Sequence, residues 1–514
     1  MPSTVHFAGR EVVNNTAAQW WKDPGLRALT LHFFAILYGT FTIGYDGSVM
    51  GGFFGIEDFM RDMHNPDANQ QGAMTCGIFI GMTFIAIPAQ YLGDKIGRRR
   101  TSQLGGIFTI IGVLVQVFAV KGRGVFLLSR IIIGIGNGFP LILGATYAME
   151  LAHPRLSSKF GAWFGGGYFI GGISAAWITF GCLWISSNWS WRLPSILQLF
   201  PAIYQVIALQ WVPESPRWLV ANNREGKALD ILAKYHANGD ENDELVKLEL
   251  AEIKASLALE NGFRYRDFLK TSGNRKRLFI AIFVGALQNF AGNGMISYYL
   301  IPVLSAAGIT DAVKRQGISG SLQIWTFIVA IFAVQYSQTL GRRRLWLLSV
   351  GGCLLSYIGL TICSALYAEQ GNQAAGSASV AFIFTFNGAY VAALTVLAYS
   401  YVSELMPYHA RNKASSVHEL SCCIAGIANA YMNPVAFAAI SWKYYTIYIA
   451  VLVVSFGIVY FVFPETAHLT LEESAHVLDG ADAQSYLVHA TAAELAPGTP
   501  TSEKVGAKSL VLEA

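Results

Sequence analysis

The sequence predicts an all-α polytopic membrane protein of twelve transmembrane helices arranged as two six-helix halves. Three observations carry the prediction. Of 514 residues, 53% are hydrophobic and only 13% are charged, against about a quarter charged in an ordinary soluble protein. Charge-free windows follow one another along most of the chain, each long enough for the ~20 residues that cross hydrocarbon as a helix. Short patterns from the first half also return in the second, in the same order and at nearly constant offset, which marks an internal repeat.

The windows run 28–45, 72–93, 101–120, 131–149, 160–191, 193–213, 278–310, 316–341, 345–368, 370–403, 420–442 and 444–464. The three longest leave room for tilt or an interfacial extension. Nothing reads as the alternating ten-residue segments of a membrane β-barrel. The first 27 residues mix charged and polar side chains without an apolar run, so they read as a cytosolic tail and not as a cleaved signal peptide. Residues 28–213 form the first half, 214–277 a hydrophilic insert, 278–464 the second half and 465–514 a second cytosolic tail. The insert carries apolar residues at helical spacing in NREGKALDILAKYHA and DELVKLELAEIKASLALE, which predicts amphipathic helices lying across the bundle. The final tail is polar and contains proline, and reads as disordered.

Orientation follows from basic residues in short loops. One side gathers Lys95, Arg98, Arg99, Arg100, Arg155, Lys159, Arg342, Arg343, Arg344, Arg411 and Lys413. The other holds Arg61, Lys121, Arg123, Arg192, Lys314, Arg315 and Lys443. The first set, reinforced by Arg10, Lys22 and Arg27, places both termini and the insert in the cytosol.

Three repeats define the halves. Gly97-Arg98-Arg99-Arg100 returns as Gly341-Arg342-Arg343-Arg344, Tyr147-Ala148-Met149-Glu150 as Tyr401-Val402-Ser403-Glu404, and Pro213-Glu214-Ser215 as Pro464-Glu465-Thr466. Parallel repeats of this kind build transporters whose substrate site lies at the midplane between halves.

Charge inside the apolar windows is the main functional signal. Asp46 follows eighteen uncharged residues, 28–45, and Arg130 opens the run IIIGIGNGF. An acid and a base at membrane depth are best explained by pairing, and such residues mark ion or substrate pathways by default. The alternatives are that the first helix ends near Tyr45, leaving Asp46 among headgroups, or that the pair is a static structural one. Gly134, Gly136 and Gly138 mimic a nucleotide loop but sit in an apolar helix with no preceding strand, so close helix packing is expected. The six cysteines lie in apolar windows and read as packing residues, with no metal spacing among them. No nucleophile, base and oxyanion donors converge as they must in an enzyme. The net charge of +4 is small and spread over loops, and does not indicate nucleic acid. No cofactor motif occurs, and the sequence assigns no oligomeric state. Asn188-Trp189-Ser190 is a glycosylation sequon close to the bilayer. His418 and Glu419 fall near the cytosolic start of the eleventh helix, an edge position where packing or gating is the expected role and a proton relay the alternative.

The strings GYDGSVMGG, GDKIGRRR, SRIIIGIG, YAMELAHP, PESPRW, QNFAGNGMISYY, YSYVSELMP with Arg411, and PETAHLTLEE together resemble the sugar porter family of the major facilitator superfamily. The resemblance spans Gly44 to Glu473, and AGNGMISYYLIPVL with NPVAFAAISWKYY resembles the fungal branch of lactose-permease-like and hexose transporters. It implies the major facilitator fold, a multi-pass location in the plasma membrane, and sugar or polyol transport by alternating access. It also implies a cytosolic gate of Asp94, Arg98, Arg99, Glu150, Glu214 and Arg217 with Arg342, Arg343, Glu404, Arg411 and Glu465. Carboxylate and guanidinium groups at helix ends can hold the halves together on one side and must part for the other to open; the alternative is a set of ordinary solvated arginines.

By the same resemblance Asp46 and Arg130 are the proton-coupling pair of symporting members. Gln288, Asn289, Asn293, Tyr299, Tyr399 and Asn433 are expected to line the central cavity, because amides and hydroxyls suit a polyhydroxylated ligand and aromatic rings suit a sugar's C–H face. The alternative for each is a bond bridging two helices. The chain departs from the family at Gln338, where the second half lacks the counterpart of Asp94, and at Ala145, Gly165, Gly172, Asn289 and Tyr399. The expected function is proton-coupled uptake of a sugar or sugar-like polyol. The alternatives are an uncoupled facilitator and a non-transporting nutrient sensor of the same fold.

Overall fold

A computed structural model of the chain describes residues 3–7, 10–17, 19–119, 122–260, 264–407, 410–466 and 478. Of the terminal tail expected to be disordered, residues 467–477 and 479–514 lie outside the described residues, as does the loop residue Lys121.

Asp23 starts the bundle. Its carboxylate accepts the Leu26 N–H ahead of Pro24, giving α1 (Pro24–Phe53) both a capped N-terminus and a pre-set first residue. The helix runs well past the apolar window, so Asp46 lies within it and is fully buried. A headgroup position for Asp46 is thereby excluded. After the short α2 (Glu57–Asp62), a capping box of Asp67 and Gln70 opens α3 (Ala68–Ile96), followed by α4 (Arg98–Leu114), α5 (Arg123–Leu151) and α6 (Ser157–Gly181). The sixth window is a broken pass, α7 (Trp189–Leu197) and α8 (Leu199–Ala208), with Gln198 at the joint.

The insert folds as α9 (Pro216–Ala221), α10 (Glu225–His236) and α11 (Glu244–Glu260). In the second half α12 (Ser272–Phe290), α13 (Asn293–Tyr298) and α14 (Leu300–Ala306) make one pass, broken at Gly292, whose φ of 101° suits glycine. Then come α15 (Ala312–Leu340) and α16 (Arg342–Gln370). The tenth pass is α17 (Gln373–Tyr390) and α18 (Ala398–Glu404) around a π-helical turn, Val391–Thr395; α19 (Arg411–Ile440) and α20 (Tyr445–Val462) complete twelve passes.

Close backbone approach holds the first half together at glycines. A Cβ at Gly44 would stand 1.9 Å from the Tyr168 carbonyl oxygen, and one at Gly134 would stand 2.2 Å from that of Ile78. The packing role expected for Gly134 is therefore observed. Large apolar side chains such as Phe84, Leu355 and Phe461 stay exposed on outer helix faces, as a bilayer requires.

The halves meet where α3 runs along α19 and α6 along α15. They are locked at the end away from the basic loops. There Gln316 Nε2 donates to the Gly52 carbonyl at 3.0 Å, and a Cβ at Gly51 would lie 2.5 Å from the Ser297 carbonyl oxygen.

The N-terminal tail is structured. Strands β1 (Ser3–Phe7) and β2 (Arg10–Asn14) pair antiparallel, and Val5 and Val12 pack on Leu245 of α11. Asn15 N–H donates to Asp243 at 2.7 Å, while Arg155 from the α5–α6 loop bonds Thr16 and the Ala17 carbonyl. The tail therefore clamps the insert to that loop.

Candidate functional site

Asp46 and Arg130 meet in the middle of the first half. Arg130 Nη1 donates to Asp46 Oδ1 at 2.5 Å, and both side chains are almost wholly out of contact with solvent. The break between α7 and α8 turns Gln198 toward the same oxygen, to which its Nε2 donates at 2.9 Å. Asp46 Oδ2 has no hydrogen-bond partner among the described residues. One oxygen is thus doubly held and the other is open, an arrangement in which a carboxylate can take a proton without first losing its anchor. Immediately before Asp46, Tyr45 pins α1 to α7 through a 2.8 Å bond to the Pro194 carbonyl.

The second half presents amides and phenols instead. Gln288 Nε2 donates to the Leu394 carbonyl at 3.0 Å, and its Oε1 is buried with no partner among the described residues. Tyr390 donates to the Gln288 carbonyl at 2.7 Å. Asn289 Nδ2 donates to the Cys422 carbonyl at 2.9 Å and contacts its sulfur. Asn293 accepts from Ser297 at 3.0 Å. Tyr399 is 40% exposed on the broken tenth pass, and its hydroxyl donates to Glu419.

Two of the expected cavity residues are engaged elsewhere. Tyr299 is buried and donates to the Ala430 carbonyl, so it bridges helices. Asn433 is fully buried, and its amide is taken up by Asn429, Tyr444 and Tyr448. These bonds are of the kind that the helix-bridging alternative expects, as are those of Gln288 to Leu394 and Asn289 to Cys422, and Tyr299 also lines a cavity with Met295 and Pro434.

Sequence reasoning missed Gln198, whose amide within an apolar window was the available signal. It also missed Gln323, whose Oε1 would come within 3.0 Å of a Cβ at Gly172. The glycine gives α15 room to bring an amide from the other half close to α6. Gly165, the other departure on that helix, faces open space.

At the basic end the two halves build the same device, once each. Gly97 and Gly341 turn one helix into the next with φ of 101° and 87°. Glu214 Oε1 accepts from the N–H groups of Arg98, Arg99 and Ser215 at 2.9, 3.1 and 3.0 Å. Glu465 Oε1 accepts from Arg342 and Thr466 at 2.7 and 3.0 Å, and its Oε2 from Arg343 at 3.2 Å. Each carboxylate thus sits on the orphan donors and positive dipole end of the following helix. Burial holds the Glu214 carboxyl above the usual carboxylate range, against the pull of these N–H groups. Tyr147 donates to the Pro213 carbonyl at 2.6 Å and Tyr401 to that of Pro464 at 2.8 Å.

The arginine side chains differ between halves. Arg98 is shared by Asp94 at 2.8 Å and Glu150 at 3.3 Å, whereas Arg342 forks onto Glu404 with bonds of 3.2 and 2.9 Å. The side chain of Gln338 lies outside the described residues. Arg411 Nε donates to the Ser403 carbonyl at 3.1 Å, and Arg217 stands on α9 beside the Glu214 turn. The gate was expected to tie the halves together. The ion pairs of Arg98 with Asp94 and Glu150 and of Arg342 with Glu404 each close within one half, while the Ser416 hydroxyl donates to Gln90 Oε1 across the halves at 3.2 Å.

The insert adds a titratable contact. His236 Nδ1 meets Glu249 at 2.7 Å and Nε2 the Leu151 carbonyl at 3.3 Å. Burial opposes its charge, but Glu249 and the carbonyl outweigh burial and raise the imidazole above its ordinary value. The neighbouring His153, its ring centroid 5.1 Å away, is driven down to about 2 by burial, with His236 and Arg155 adding to the effect. Asn188, the sequon residue, is the half-buried residue preceding α7, and Ser190 is buried against Asp58.

The family model for "Sugar (and other) transporter" matches residues 31–478. The chain is 28% identical over 442 residues to the MFS-type transporter oryC of Aspergillus oryzae, covering 84% of this chain and 81% of that one. It is 27% identical to high-affinity glucose transporter 1 of Candida albicans, covering 84% and 82%. It is also 27% identical to the MFS-type transporter criB of Aspergillus cristatus, covering 91% and 96%. Among solved structures, the proton:xylose symporter XylE bound to 6-bromo-6-deoxy-D-glucose superposes with a TM-score of 0.74 at 20% identity, over 88% of this chain and 99% of that one.

Proposed function

The chain belongs to the sugar transporter family of the major facilitator superfamily, and from that premise we propose that it is a proton-coupled importer of a sugar or sugar-like polyol. The single observation that carries the coupling is the buried Asp46–Arg130 pair with Gln198 on the same oxygen. Arg130 favours the ionised acid and burial the neutral one, so a rearrangement that parts them changes proton affinity. Proton binding and helix rearrangement become linked, and a proton gradient drives uptake.

The substrate lies against Gln288, Asn289, Asn293 and Tyr399, with Gln323 contributing from the α6–α15 seam. The bundle faces the cytosol in this conformation, with both termini and the insert on that side of the plasma membrane. Glu214 and Glu465, together with the arginines they anchor, re-form the closed cytosolic face in the opposite state.

Uptake of radiolabelled hexoses, pentoses, disaccharides and polyols into a transporter-deficient host, with and without a protonophore, tests the reading. Concentrative uptake of at least one, abolished by the protonophore, is expected. Equilibration insensitive to the protonophore makes the protein a facilitator, and no uptake of any makes it a sensor or a carrier of another substrate class. An epitope at the C-terminus labelled on intact cells overturns the orientation.

A further inference from the structure

Glu419 lies eight residues after Arg411, the first residue of α19, not at its edge, and only 4% of it is exposed. Asp46, the buried acid of the first half's centre, has an arginine. Glu419 makes no ion pair among the described residues. Its Oε2 accepts from the Tyr399 hydroxyl, and Cys423 Sγ lies 3.7 Å from Oε1. The titratable groups that face it are Tyr399 from α18 and, on its own helix, Cys423, Cys422 and His418. From α12 comes the neutral amide of Asn289, spent on Cys422, and α3 places the neutral Gln90 amide on Ser416 of this helix. His418 is fully buried, its ring 4.8 Å from that of Tyr399, and neither ring nitrogen has a hydrogen-bond partner among the described residues. A buried imidazole with no acceptor for an N–H is no counter-ion for the acid beside it. An acid at membrane depth with donors but no cation is stable only as the neutral carboxylic acid.

We propose that Glu419 is a second proton-binding acid of this carrier, placed in the half opposite the Asp46–Arg130 pair and linked to the cavity by the Tyr399 hydroxyl. Loading is simple protonation, carboxylate and hydronium giving carboxylic acid and water. Tyr399 is 40% exposed while its hydroxyl sits on the acid. A ligand that draws the phenol away removes the donor, and so couples cavity occupancy to the charge state of Glu419. The part this plays in uptake rests on the proton-coupled reading above, whereas the protonation itself does not.

Infrared spectroscopy of the purified full-length protein in lipid nanodiscs separates the two. At neutral pH, without substrate, the parent shows the carbonyl stretch of a protonated carboxyl group. Glu419→Gln loses that band, Asp46→Asn keeps it, and Tyr399→Phe, which removes one hydrogen bond to the acid, shifts it. A parent spectrum without the band means an ionised Glu419, as a cation-binding site would need, and overturns the proposal; so does a band that survives Glu419→Gln. If Glu419→Gln does not yield a monodisperse protein, Tyr399→Phe decides alone, and an unshifted band counts against Glu419. A carrier without proton-driven uptake that still shows the Glu419 band would retain the site and lose the coupling.

Discussion

The centres of the two halves are built from opposite chemistry on nearly the same frame. The first holds an acid and a base, Asp46 and Arg130, doubly anchored on one oxygen. The second holds amides and phenols, Gln288, Asn289, Tyr390 and Tyr399, with no ion pair among them. At their basic ends, however, the halves carry the same carboxylate on the same helix start. The ends of the halves are thus alike while their middles differ, and under the proposed function the ion pair of the first half serves energy coupling and the amides and phenols of the second serve ligand recognition.

The largest effect expected from this contrast is at Arg130. Arg130→Met leaves Asp46 buried without its counter-charge and costs about 3–5 kcal/mol, read as a lower unfolding temperature in detergent. The double variant with Asp46→Asn recovers most of it. Gln288→Ala costs only about 1 kcal/mol in stability but weakens substrate affinity. Equal destabilisation by the two would erase the distinction between the centres.

The gates sharpen the comparison next. Arg342 depends on a single forked acid, Glu404, whereas Arg98 is divided between Asp94 and Glu150. Glu404→Gln is therefore expected to lower uptake about tenfold, from the loss of roughly 1.5 kcal/mol of charge-assisted hydrogen bonding. Glu150→Gln should lower it by about half that free energy. The reverse order would show that the second gate does not lean on Glu404.

A matched pair tests what the halves share. A Cβ at Gly97 would lie 2.3 Å from Glu214 Oε2, and one at Gly341 2.7 Å from Glu465 Oε2. Both residues also have positive φ. Gly97→Ala and Gly341→Ala should each cost at least the 1–2 kcal/mol or so of a left-handed non-glycine residue and reduce transport alike. A silent Gly341→Ala would break the symmetry.

Much of this was legible in the sequence. Hydropathy located twelve passes, and the offsets of GRRR, Tyr-x-x-Glu and Pro-Glu located the repeated gate, because both depend on local composition. Asp46 and Arg130 were visible because charge in an apolar window is costly wherever it falls. The breaks at Gln198 and Gly292 were not visible, since a helix interrupted inside hydrocarbon is as apolar as an intact one. Gln198 and Gln323 gain their roles only from tertiary placement, and the docked N-terminal hairpin depends on Asp243 and Arg155, far away in the chain. Asn433 and Tyr299 looked like ligand groups because an amide or phenol reads the same whether it faces a cavity or a neighbouring helix.

The smallest effect concerns the insert, which meets the first half at several points, His236 against the Leu151 carbonyl among them. Its imidazole is raised above the ordinary value by Glu249. Its stabilising contribution is thus complete below the ordinary histidine range and is lost as pH rises through the folded-state value. Limited proteolysis of the N-terminal tail should accelerate as pH rises through that window, and His236→Gln should remove the pH dependence.

The central claim is that Asp46 couples proton to substrate, and Asp46→Asn tests it most directly, since it mimics the protonated acid at nearly constant shape. In cells expressing the carrier, external pH and intracellular label are followed together after addition of a substrate that the parent concentrates. The account predicts that the variant neither alkalinises the medium nor accumulates label above the external level, while counterflow exchange is partly retained. A variant that concentrates label and alkalinises the medium like the parent would contradict it.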